Sequence, residues 1–137
     1  LWTAIEHTPP GSATNEAPRV KPISLILVSP VSDTSLATGY TPKRFGDKAD
    51  ALSPVHQLDA KMPPVLLFHG DADTTVTNRQ SIALREKLVA SSNVCELITV
   101  PGGNHGFQTQ LPEWKEKSRA IMEEFLTKQG VLPVTAK

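Results

Sequence analysis

Val65–Val76 reads VLLFHGDADTTV. Its first four residues are apolar without alternation, the pattern of a short strand buried on both faces. Such strands belong to parallel sheets covered by helices. HGDAD follows with no spacer, so ionisable residues sit where the strand ends. Thr77 to Ala90 then predicts a helix. Thr77 and Gln80 form a T-x-x-Q capping-box pattern, and Leu84 and Leu88 share one face.

Upstream, Ile23–Val28 (ISLILV) is a second nearly continuous apolar run and predicts another strand buried on both faces. Pro30 to Met62 is long and irregular, rich in Gly, Pro and charge. A loop of that length in a compact domain is commonly a lid or a substrate-facing excursion, and a plain surface loop fits it equally. Further back, Pro9 to Pro22 reads as an exposed connection. Leu1–His7 (LWTAIEH) has helical spacing and no N-cap before it, so it reads as the end of a helix.

Downstream, Val94–Val100 (VCELITV) predicts a third strand. Glu96 and Thr99 give it an edge-like character. A final helix is expected from about Pro112 to Gln129, with Pro112 in its first turn and Gly130 at its C-cap. Trp114, Ile121, Met122 and Phe125 form its apolar stripe, while Lys115, Glu116, Arg119 and Glu123 face water. The order is helix, strand, long loop, strand, helix, strand, helix. The fold class is therefore α/β, with a parallel sheet covered on both sides.

The bulk numbers exclude several functions. The 137 residues suffice for one domain with a modest core. Fourteen basic residues balance fourteen acidic ones, so no basic stripe argues for nucleic acid. Aromatics are only 5% of the chain, which weakens base stacking further. No apolar run is long enough to span a membrane. Cys95 is the single cysteine, which rules out an intrachain disulfide, and its apolar surroundings suit a small packed hydrophobe.

In parallel α/β sheets, functional groups collect in loops just past the carboxyl ends of strands. Two such loops hold ionisable residues: His69-Gly70-Asp71-Ala72-Asp73, and Gly102-Gly103-Asn104-His105-Gly106-Phe107. If their strands are neighbours, Asp73 can accept a hydrogen bond from one ring nitrogen of His105. The other nitrogen is then free to act as a base. Asp71 is the rival acid, with a solvated turn as its alternative role. His69, at a strand end, reads as a support for the Asp73 loop. His7 and His56 have no constellation around them. His69, Asp71, Asp73 and His105 can be drawn as a metal cluster, but no ligand spacing such as H-x-x-x-H supports one, so no metal and no cofactor is expected.

LSPVHQLDAKMPPVLLFHGDADTTV, then a helix, then VPGGNHGF, resembles the C-terminal half of an α/β-hydrolase. The likeness runs from about Leu52 to Phe125. It points to the esterase/lipase group that includes acetyl-xylan and feruloyl esterase-like proteins, with dienelactone hydrolases and prolyl oligopeptidases as wider relatives. HGxxD falls on Asp73, G-x-HGF on His105, and the Ser53-Pro54 pair is typical of the preceding segment. The resemblance implies a serine carboxylic ester hydrolase acting on a small ester. In it, Asp73 orients His105 and His105 activates a serine.

No G-x-S-x-G elbow occurs in the chain. Ser29 and Ser32 follow the first apolar strand without flanking glycines, so neither is taken as the nucleophile; Ser29 is the nearest local substitute. LWTAIEH resembles the continuation of the helix that follows the elbow in relatives. The expectation is a partial α/β-hydrolase fold: residues 1–137 form the C-terminal part of a single domain, with three parallel strands, flanking helices and no nucleophile. The strand ISLILV would then present an open edge, an association hazard. The expected partner is an N-terminal half on another chain, or a second copy of this one. A catalytically silent fragment, or a binding or assembly module on a truncated scaffold, is the alternative.

Overall fold

The computed structural model describes residues 22–58 and 61–134, with only the backbone of Pro42. The helix expected at Leu1–His7, and all of the Pro-rich connection but Pro22, lie outside the described residues. Three strands, β1 (Leu25–Val28), β2 (Val65–Gly70) and β3 (Cys95–Val100), form one parallel sheet in the order β1-β2-β3. Helix α1 (Arg79–Ala90) links β2 to β3, and α2 (Phe107–Gln110) and α3 (Glu113–Lys128) follow β3.

All six residues of β2 are buried, because a strand takes this position only when both its faces are apolar. Its side chains divide by parity. Val65 and Leu67 pack with Leu84 and Leu88 of α1. Leu66 and Phe68 pack with Phe107, Trp114 and Phe125 on the opposite face. The same parity sends His69 toward α1, where it meets Ser81, and turns Gly70 to the other side, against Gly103. Cys95 closes the α1 side of the core. Burial pushes its thiol up to about 11, so it packs as an unreactive hydrophobe.

Four expectations are corrected. The first strand begins at Leu25, not Ile23, and is not buried on both faces. Only Leu25 is fully covered, while Val28 is 41% exposed, because β1 has a single strand neighbour among the described residues. The capping box does not form: the N-cap position of α1 falls on Asn78 and no side chain caps it. The Gln80 side chain is used elsewhere. Pro112 stands at the N-cap position of α3 rather than inside its first turn. A short helix, α2, precedes α3 where the sequence showed only a loop. Gly130 does terminate α3, at φ +71, a left-handed conformation that glycine adopts without strain.

The Pro30–Met62 excursion is tied down by a buried polar cluster. Gln80 Oε1 accepts from the amides of Ser32 and Asp33 at 2.9 and 2.7 Å, and Gln80 Nε2 donates to the Asp33 carbonyl at 3.2 Å. The Asp33 carboxylate accepts from the Ser35 amide, the Ser53 hydroxyl and the Thr38 hydroxyl at 2.8, 2.9 and 2.7 Å. Burial pushes the Asp33 carboxyl up, but Thr38, Ser35 and Ser53 outweigh it and hold it at about 2.

A depressed folded-state value stabilises the fold above the unfolded value and is lost as pH falls through the folded one. Asp33 should therefore contribute about 2 kcal/mol above pH 4 and lose it toward pH 2. Thermal melting across that range should show Asp33→Asn less stable at neutral pH and with a flatter acid slope. An unchanged slope would remove Asp33 from the account.

Candidate active site

The two loops expected to hold the chemistry lie side by side, because β2 and β3 are adjacent and in register from Val65↔Cys95 to Gly70↔Val100. Beyond the strands the contact continues. The Asp71 amide donates to the Val100 carbonyl and the Ala72 amide to the Gly103 carbonyl. The Gly102 amide donates to Asp71 Oδ1 at 2.7 Å. Asp71 is thus more than a solvated turn residue; it staples the two loops together.

Asp73 is held by the turn it begins. Its Oδ1 accepts from the amides of Thr75 and Val76, both at 2.9 Å, a self-closing aspartate turn. Its Oδ2 lies 2.9 Å from His105 Nδ1. The Asp73 side chain is 0% exposed and that of His105 is 46% exposed. Burial pushes the Asp73 carboxyl up, but the Val76 amide, His105 and the Thr75 amide outweigh it and hold it below the ordinary range. An ionised carboxylate only accepts, so Nδ1 of His105 carries the proton and Nε2 presents its lone pair outward. Among the described residues no side chain bonds to Nε2.

The His105 loop is built to keep that ring in place. Asn104 Oδ1 accepts from the Gly106 amide and Gln110 Oε1 from the Asn104 amide, both at 2.8 Å. Two residues after His105, Phe107 is fully buried and packs edge-on against Trp114 at 6.3 Å between ring centres. Thr74, Thr75, Asn104, His105, Gly106, Thr109 and Gln110 line a cleft of about 430 Å³. A larger cleft, about 510 Å³, includes Ile23, Met62 and Val94 at the opposite ends of the strands and holds no acid–base pair.

The other candidates are placed as follows. His69 is fully buried, with Nδ1 2.7 Å from Ser81 Oγ and Nε2 2.7 Å from the Val76 carbonyl. His56 is exposed. Ser32 donates its hydroxyl to the Gln80 carbonyl. Ser29 has φ +45 and a buried hydroxyl without a hydrogen-bond partner; it does not reach His105. Among the described residues no group of three His, Cys, Asp or Glu side chains is arranged to hold a metal ion, and no helix is long and apolar enough to cross a membrane. Sequence reasoning missed the roles of Gly70 and Asp71 in joining the loops and of Gln110 in bracing the His105 loop. The one available signal was glycine at both loop bases.

The fold is that of α/β-hydrolase esterases. The native esterase Est2 of the planctomycete Thermogutta terrifontis superposes with a TM-score of 0.80 at 27% identity, over 98% of this chain and 52% of that one. The apo form of Thermogutta terrifontis esterase 2 gives 0.80 at 29% identity, over 97% and 52%. The same esterase phosphonylated by sarin gives 0.77 at 26% identity, over 97% and 53%. The chain spans about half the length of these esterases. No curated protein matches it. Residues 30–129 match the family model of the prolyl oligopeptidase family, and with that match covering most of its length the chain belongs to this family.

Proposed function

We propose that this chain supplies the acid and the base of a serine carboxylic ester hydrolase, with Asp73 orienting His105. The observation that carries this is the 2.9 Å bond from His105 Nδ1 to a buried Asp73 carboxylate, with Nε2 facing an open cleft. In the reaction, a serine supplied by the upstream half of the domain attacks the ester carbonyl. His105 Nε2 takes the serine proton, and Asp73 stabilises the resulting imidazolium. The tetrahedral intermediate collapses as His105 returns the proton to the departing alcohol. Water, activated the same way, then releases the acyl group. That a related esterase is phosphonylated by sarin supports a serine nucleophile in this group of proteins. The same apparatus cleaves amides, so activity on p-nitrophenyl esters against p-nitroanilides separates the two substrate classes.

The partner in this reading is the N-terminal half of the domain on another polypeptide, seated against the edge of β1 that has no strand neighbour among the described residues; a second copy of this chain could cover that edge but would bring no serine elbow. A second reading, a catalytically silent binding or assembly module, is favoured by the lack of any G-x-S-x-G in the sequence. Intact-mass spectrometry after treatment with a fluorophosphonate decides between them. The expected result is an adduct on a second, larger polypeptide. An adduct on this chain would overturn the assignment and return attention to Ser29. No adduct and no second polypeptide would mean the silent module.

A further inference from the structure

His69 is the one fully buried titratable side chain near the site that the mechanism leaves unused. Its hydrogen-bond partners define its tautomer. The Val76 carbonyl, 2.7 Å from Nε2, only accepts, so Nε2 carries the hydrogen. Nδ1 is then bare and accepts from the Ser81 hydroxyl at 2.7 Å. Nε2 also lies 3.2 Å from Asp73 Oδ2, the same oxygen that receives His105 Nδ1 at 2.9 Å, while its hydrogen goes to the Val76 carbonyl.

The Asp73 carboxylate therefore has three kinds of support. Two amides hold Oδ1, His105 occupies one side of Oδ2, and His69 meets Oδ2 from the core. Held through Oδ1 alone, a carboxylate can still turn about its last side-chain bond, and Oδ2 would swing off the Nδ1 line. The His69 ring, fixed by Val76 and Ser81, blocks that turn where it meets Oδ2. A lysine or arginine there would compete with the imidazolium that Asp73 must stabilise.

We infer that His69 is a positioning residue: its Nε2–H ties down the Val76 carbonyl of the turn that holds Asp73, its ring edge against Oδ2 keeps that oxygen turned toward His105 Nδ1, and Ser81 holds the tautomer this requires. The inference rests on the reading of Asp73 and His105 as acid and base, and it concerns how that pair is aimed. It also gives a role to the position of His69 on the α1 face of β2: the parity that buries Val65 and Leu67 delivers the ring beneath the acid.

The test is nitrogen-15 NMR of the histidine rings in the 137-residue chain. Wild type should show neutral His69 as a single Nε2–H tautomer, and a downfield Nδ1 proton on His105. His69→Gln keeps an amide N–H near the Nε2 position and should retain the His105 signal. His69→Leu should lose it while the backbone amide spectrum stays dispersed. If the Leu variant does not fold, Ser81→Ala decides, since it leaves the ring in place: it should mix the His69 tautomers and weaken the His105 signal. A Nδ1–H tautomer for wild-type His69 would overturn the inference. So would a His105 proton unchanged in folded His69→Leu or in Ser81→Ala. Failure of the underlying reading looks different: hydrolysis by the complete enzyme would then survive Asp73→Asn and His105→Ala, whatever the state of His69.

Discussion

If the proposed function holds, Asp73→Asn in the complete hydrolase is expected to lower kcat about 10⁴-fold, and His105→Ala at least as much, with KM little changed. The asparagine is close to isosteric, so the loss has to come from its hydrogens. Its carbonyl oxygen stays with the Thr75 and Val76 amides, which require an acceptor. The NH₂ group then takes the place of Oδ2. There it offers a hydrogen to His105 Nδ1, forcing the proton onto Nε2. The nitrogen facing the cleft no longer has a lone pair with which to take the serine proton. KM changes little because neither residue is needed to hold the ester in its ground state. Asp73 is held below the ordinary carboxylate range, so it stays ionised throughout the neutral range. Asp73 therefore does not supply the acid limb of kcat/KM in the wild type. Steady-state kinetics on a p-nitrophenyl ester measures all of this. Variants within ten-fold of wild type would dismiss the pair as catalytic.

That pair was legible because it follows from strand ends. A strand apolar on every residue has to be central, its loop has to open at the carboxyl edge, and the next parallel strand brings the second loop beside it. Local pattern was enough to put both residues on loops that neighbouring strands would bring together, and the HGxxD likeness chose Asp73 over Asp71. The helices were read from the same kind of signal: Leu84 and Leu88 fall about one turn apart and Trp114 and Phe125 about three, and their burial follows from that spacing.

What escaped the sequence depends on partners far along the chain. Thr77 and Gln80 have the letters of a capping box, but Gln80 finds two buried amides at Ser32 and Asp33, 48 and 47 residues away. Those amides have no other acceptor for that bond, and an unsatisfied buried amide costs more than an uncapped helix end. Asp71 reads as a turn residue because its acceptor role is filled by Gly102, 31 residues on. The burial of β1 could not be read at all from its own residues. ISLILV is apolar enough for a central strand, yet Val28 is partly open; coverage depends on what lies alongside, and composition reports only what the strand tolerates.

Gly70→Ala is expected to destabilise the fold by about 3 kcal/mol or more, although it adds one methyl group. The added carbon would sit 2.0 Å from the Gly103 carbonyl oxygen and 2.4 Å from its carbon. Both are backbone atoms, so no side chain can rotate away. Gly103 cannot retreat either. A carbon built on it would meet Val100 at 2.8 Å and Phe107 at 3.0 Å, and Phe107 is the buried anchor of the His105 loop. Relief has to come from parting the loops, which stretches the Ala72–Gly103 and Gly102–Asp71 bonds. The same movement draws His105 from Asp73, and a displacement of about 1 Å in a reacting pair costs on the order of 10² in rate. Gly106→Ala is the matched control. Its nearest neighbour would be Asn104 Oδ1 at an ordinary 3.7 Å, and its φ of −105° suits any residue. Thermal melting of the two variants should separate them widely, with Gly106→Ala near wild type. Equal melting would mean that the loops are not in backbone contact, and the close approach that brings acid to base would have to be sought elsewhere.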